Sequence, residues 1–270
     1  MPVDEHTIEV GGAAAFYRCA AWTGIPALCL HGLPCSSDEL VAVLERTGGI
    51  APDLPGFGRS SKAGHLDYSL TGQADFVEQL LAALGLGQVA LVAHGWGAGP
   101  ALVFAQRHPE RVARLVLCDA LPLLEAWRWH RLARSLRAPV LGELLMGATT
   151  RSLLARHLRR GCVRASAWPD DAIDAVWGQF DHGTQRAILR LLRDGDERRL
   201  AAAGAGLARL AMPALVIWGE RDPWLAPELA DAYAARLSDA QVQRIADAGH
   251  WPWLDEPAVL DRIAAFVAMP

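Results

Sequence analysis

Apolar residues recur along this chain in two alternating rhythms. Unbroken runs such as Pro26-Ala27-Leu28-Cys29-Leu30, Val89-Ala90-Leu91-Val92 and Pro213-Ala214-Leu215-Val216-Ile217-Trp218 predict strands covered on both faces, as in parallel sheets. Arg111 to Cys118 and Gln241 to Ile245 predict two more. Between the runs the spacing turns helical. Ala74, Val77, Leu80, Leu81 and Leu84 share one face of a helix that Ser69 opens and Gly85 closes. Ser36-Ser37-Asp38 can cap a helix running through Arg46, and another helix ends at His108, before Pro109. Pro227 to Leu237 and the segment from Ala258 predict the last two. At the start, Thr7–Val10 and Ala14–Cys19 flank Gly11-Gly12 and predict a hairpin. Strand and helix in alternation argue for a parallel sheet with helices on both faces.

The alternation breaks between residues 121 and 210. That stretch holds helical patterns, among them Ser152–Arg160 and Thr184–Arg193, and no strand pattern. An all-helical insertion between two strands of one sheet is the simplest organisation, with residues 1–120 and 211–270 as the core domain and 121–210 as a helical cap. Charge supports the division. The insertion carries 15 Arg against 9 Asp and Glu, which leaves −10 on the rest of a chain whose net charge is −4. The arginines are read as a solvated helical face, Arg128, Arg131 and Arg134 included, with the alternative that one of these three meets an anionic substrate.

With 52% apolar residues the chain can bury a large core, and its net charge gives no reason to expect nucleic acid or a membrane surface as partner. The five cysteines are odd in number and lack CxxC spacing, and the polar start MPVDEHTIEV is unlike a signal peptide. A reducing, cytoplasmic compartment is expected, with the cysteines as buried thiols. No metal cluster, phosphate loop or dinucleotide fingerprint appears, so no metal and no cofactor are implied, only a small-molecule substrate.

The candidate chemistry lies where the apolar runs stop. Val89-Ala90-Leu91-Val92 gives way to Ala93-His94-Gly95-Trp96-Gly97 and then at once to a helix. Strand, abrupt turn among small residues, helix: this is the shape of a nucleophile elbow. Its centre normally holds Ser, Cys or Asp, and here it is Gly95, which has no side chain to attack with. Other strand ends carry His31-Gly32-Leu33-Pro34, Asp53-Leu54-Pro55-Gly56-Phe57-Gly58-Arg59-Ser60, Trp218-Gly219-Glu220-Arg221-Asp222-Pro223 and Ala248-Gly249-His250.

Together, and in this order, these segments resemble the α/β-hydrolase family, most closely its epoxide hydrolase and haloalkane dehalogenase branch. The resemblance covers nearly all of the chain outside 121–210. It implies a mostly parallel eight-stranded sheet, helices on both faces, and a cap over the site. It implies that His250 is the catalytic histidine, that Asp222 orients it, and that the N–H groups of Leu33 and Trp96 form an oxyanion hole. A carboxylate on one ring nitrogen would leave the other to take a proton. Two departures narrow the branch. Epoxide hydrolases polarise the ring oxygen with cap tyrosines, whereas Tyr17, Tyr68 and Tyr233 lie outside the cap. Dehalogenases hold halide with the tryptophan after the nucleophile, here Trp96, and a second ligand that would fall at Leu33.

Secondary candidates are Asp119, at a strand end, as an alternate acid or a support; His94, read chiefly as packing behind the turn; and Cys35 as a displaced thiolate, against the commoner role of a buried apolar residue. Asp53 and Arg59 are expected to hold their loop. Trp127, Trp129, Trp168 and Trp177 are read first as cap core and second as an aromatic pocket wall. Three uses of such a site stay open. His250–Asp222 could act as a general base on water or on a substrate C–H or O–H, the latter including lyase, cyclase and cofactor-free oxygenase chemistry. The chain could instead be an Asp- or Ser-dependent hydrolase inactivated at position 95, or a pocket that only binds.

Overall fold

The structure, a computed structural model, describes residues 1–125 and 127–269. An opening hairpin, β1 (Val3–Val10) and β2 (Ala13–Ala20), leads into β3 (Ala27–Leu30). Then follow α1 (Val41–Thr47), β4 (Gly49–Pro52), α2 (Leu70–Ala83), β5 (Val89–His94), α3 (Ala98–Arg107) and β6 (Val112–Cys118). Six helices come next without a strand among the described residues: α4 (Arg131–Arg137), α5 (Leu141–Gly147), α6 (Arg151–Arg160), α7 (Asp170–Gln179), α8 (His182–Asp194) and α9 (Glu197–Ala203). The alternation resumes with β7 (Ala214–Gly219), α10 (Glu228–Ala234), β8 (Ala240–Ile245), α11 (Pro252–Asp255) and α12 (Ala258–Val267).

The eight strands form one sheet in the order β1-β2-β4-β3-β5-β6-β7-β8. Only the pairings of β2 with β1 and with β4 are antiparallel; the other five are parallel. Strands β3, β5 and β7 are buried at every residue, as their unbroken apolar runs require. Edge strand β8 instead shows half-exposed and exposed residues throughout. Ser69 caps α2 by accepting from Gly72 N–H at 3.0 Å. The helix expected from Ser36 through Arg46 is present: Ser36 caps it by accepting from Asp38 N–H at 3.3 Å, and its first turn, Ser37–Leu40, is wound more tightly than α1, which follows without a gap. The buried Asp53 carboxylate draws Ser37 towards it, accepting from both its N–H (2.7 Å) and its hydroxyl (2.6 Å). Asp53 also accepts from Arg59 N–H at 2.7 Å, so the pair does hold its loop.

The chain leaves β3 for β4 on one side and returns as β5 on the other. Loops beyond the C-terminal ends of two such strands diverge and leave a crevice, where ligands settle in open α/β sheets.

Candidate active site

Everything at this crevice is arranged around the sharp turn after β5. His94 ends the strand, and Gly95 follows with φ +49°, a left-handed conformation that costs a side-chain-bearing residue about 1–2 kcal/mol. Gly97 is needed for a different reason: a Cβ there would lie 2.5 Å from the carbonyl oxygen of Leu30. Gly97→Ala is therefore expected to lower unfolding free energy by about 1–3 kcal/mol, read by urea denaturation.

His250, in the loop after β8, places Nδ1 2.6 Å from Asp222 Oδ2, in the loop after β7. The other oxygen of Asp222 accepts from Trp224 N–H (2.7 Å) and Leu225 N–H (3.1 Å). Burial would push this carboxyl up, but the charge and hydrogen bond of His250 and the two main-chain donors outweigh it and hold the pKa below the usual value. The opposite ring nitrogen of His250 looks towards Gly95. A Cβ built on Gly95 would stand 3.3 Å from His250 Nε2.

Asp119, just past β6 at φ +40°, is fully buried and accepts from Gly219 N–H at 3.1 Å. Burial and the neighbouring charge of Asp222 push its carboxyl well up. One ligand-type atom each from Asp119, Asp222 and His250 lie within 4.8 Å of one another, the only such grouping of three among the described residues. With His250 Nδ1 spent on Asp222, and Asp222 on two further N–H groups, the cluster is accounted for as a hydrogen-bond relay.

A second buried pair lies behind the first. Glu39 Oε1 faces His94 Nδ1 at 2.8 Å and accepts from Gly32 N–H at 2.7 Å, while Oε2 accepts from the Trp251 indole at 2.9 Å. His94 Nε2 donates to the His250 carbonyl at 2.8 Å. Burial opposes ionisation of Glu39, yet the adjoining histidines and the Gly32 N–H bring its pKa down to about 2. This carboxylate thus joins the loop after β3, the turn after β5 and the histidine loop.

Above the site is a cavity of about 440 Å³, within the range that holds small molecules. Leu33, Gly95, Trp96 and His250 form its floor, and cap residues its walls.

Residues 26–257 match the family model described as alpha/beta hydrolase fold. The chain belongs to the α/β-hydrolase family. It is 28% identical over 269 residues to a haloalkane dehalogenase from Mesorhizobium japonicum, covering 92% of this chain and 86% of that protein. A solved haloalkane dehalogenase from Bradyrhizobium elkani superposes with TM-score 0.86 at 26% identity, covering 99% and 98% of the two chains. The epoxide hydrolase CorEH shares the fold, with TM-score 0.85, 22% identity and 99% of each chain covered.

As an α/β-hydrolase the chain brings His250, Asp222, Gly95, Leu33 and Trp96 to one place, with Asp119 and His94 directly behind them. Cys35 stands apart. It does not line the cavity, and burial and nearby Glu39 push its thiol well above the usual range, so a displaced thiolate is not supported. Of the cap tryptophans only Trp129 lines the cavity; Trp127 packs edge-on against it, Trp177 stacks on Phe180, and Trp168 meets Trp251. The sequence reading missed His130, His157 and Trp224. Trp224 meets the His250 ring edge-to-face at 5.0 Å and stacks on His157 at 4.5 Å. Burial first, and then the nearby Arg160 guanidinium among other groups, bring His157 down to about 4. Burial lowers His130 as well, so both rings enter the cavity neutral. The sequence signal for Trp224 is its place two residues after the expected acid Asp222.

The Trp96 indole N–H donates to buried Gln73 Oε1 at 2.8 Å, so it is engaged away from the cavity.

Proposed function

We propose that this α/β-hydrolase works without a covalent nucleophile, with the His250–Asp222 pair as general base on a small, largely apolar ester, epoxide or carbonyl compound. The observation that carries this reading is the 3.3 Å between His250 Nε2 and the place a residue-95 Cβ would occupy. The free nitrogen of the base faces the space a nucleophile would have filled, and a water molecule of ordinary hydrogen-bond reach suits that space. Asp222 fixes the Nδ1–H tautomer and stabilises the imidazolium once Nε2 takes the water proton. The hydroxide adds to the substrate carbon, and the N–H groups of Leu33 and Trp96 receive the charge that develops on oxygen. His250 returns its proton to the leaving oxygen. The insertion acts as the cap that excludes bulk water.

Dehalogenation is disfavoured, because Trp96 has its donor engaged and Leu33 has no side-chain donor. Its covalent step also has no carboxylate at position 95.

An ester and epoxide panel, assayed with the native chain, Gly95→Ser and Gly95→Asp, tests the proposal. The native chain is expected to turn over with a linear onset, and Gly95→Ser to show an initial burst from an accumulating acyl-enzyme. Activity that appears only once Ser or Asp is restored would overturn the reading in favour of a hydrolase frame lacking its attacking group. Silence from all three would leave proton abstraction or plain binding.

A further inference from the structure

The arginines of α6 divide into two sets. Arg151 and Arg159 face Asp170 on α7, at 3.1 and 3.0 Å, and Arg151 also meets Asp174. Arg156 and Arg160 border the cavity at solvent-exposed positions and have no ion pair or hydrogen-bond partner among the described residues. They are four residues apart on one helix, where like charges repel by about 0.2–0.5 kcal/mol. The cavity lining contains no Asp or Glu to neutralise them. Arg160 lies close enough for its charge to disfavour protonation of both His130 and His157. Those rings add polar groups to the same wall without adding charge. The rest of the lining is largely aliphatic, with Leu132, Leu136 and Leu145 from α4 and α5 and Leu153 from α6 itself.

An apolar cavity whose solvent-exposed rim carries two unpaired guanidinium groups suits an amphiphile of opposite charge, because Arg presents a fork matched to carboxylate. We propose that the ligand of this cavity is a mono-anionic amphiphile, its carboxylate held by Arg156 and Arg160, its aliphatic or alicyclic body against the leucines, and its reactive group towards His250. This rests on reading the cavity as the substrate site, and gives that site a substrate class.

The probes are octanoate and its neutral counterpart 1-octanol, titrated calorimetrically into the full chain, into Arg156→Gln/Arg160→Gln, into His250→Ala, and into Arg198→Gln. Arg198 is an exposed arginine outside the cavity and serves as control. Octanoate is expected to bind the native chain about tenfold or more tighter than 1-octanol, an advantage that added salt weakens. The double variant should erase that advantage and leave 1-octanol unchanged, while Arg198→Gln alters neither. His250→Ala should keep the octanoate affinity, which separates ligand recognition from catalysis. If octanoate binds through the arginines while His250→Ala leaves turnover intact, the ligand class stands and the catalytic reading falls. Equal affinity for the two probes, no binding of either, or no loss in the double variant would overturn the inference.

Discussion

Removing the imidazole of His250 is expected to cut kcat/KM by about 10²–10⁴-fold, the usual contribution of a positioned general base. The effect should fall on kcat more than on KM, because Nε2 acts on the proton in flight and the cavity walls hold the substrate. Asp222→Asn is the more searching variant. An amide beside Nδ1 lets the ring carry its proton on Nε2, the tautomer that cannot accept one. In the serine protease triad that change costs about 10⁴-fold. Here it should cost a similar factor while Trp224 and Leu225 N–H groups still find an oxygen at position 222. The measurement is kcat/KM against pH for an ester that the native chain turns over. Either variant retaining more than about a tenth of native activity would remove His250 and Asp222 from the mechanism.

The largest stability effect is expected away from the chemistry. Glu39 is a buried carboxylate serving three partners, and Glu39→Ala leaves His94 Nδ1, Gly32 N–H and the Trp251 indole without one. Breaking a buried pair from one side costs about 3–5 kcal/mol. The pH dependence has a definite sign. The folded pKa of Glu39 is down at about 2, from an ordinary value of 4.5. The unfolded chain therefore binds the extra proton first. Stability from this group is fully present above the unfolded pKa and is lost as pH falls towards 2, by about 3 kcal/mol in all. Guanidinium titrations at several pH values should show native and Glu39→Gln chains converging over that window. A constant gap between them would mean that Glu39 contributes through shape alone.

The sequence made the frame legible because strands buried on both faces must be apolar at every position. The runs ending at Leu30, His94, Cys118 and Gly219 therefore stood out, and each pointed to a loop of the site. The order of those loops placed His250 opposite Gly95, although the two lie 155 positions apart. What was not legible has a common cause. Glu39 reads as an ordinary solvated carboxylate near a helix start, and its burial is created by His94 and Trp251, 55 and 212 residues away. His130, at the start of α4, and His157, on amphipathic α6, look like surface residues until the chain folds and both line the cavity. No local pattern marks Arg156 and Arg160 apart from Arg151 and Arg159, since the difference lies in which face Asp170 happens to cover. The tight first turn of the helix through Arg46 was hidden likewise, because its partner Asp53 is distant in sequence.

The far end of α6 is fastened to the histidine loop. His250 N–H donates to Gly161 O at 2.6 Å, and Asp255 accepts from Val163, Arg164 and Gly249 N–H groups. That bank of the cavity cannot swing outward without carrying the base off its line to Gly95. Any opening of the cavity that keeps His250 on its line to Gly95 must therefore leave these bonds to α6 and its following turn closed.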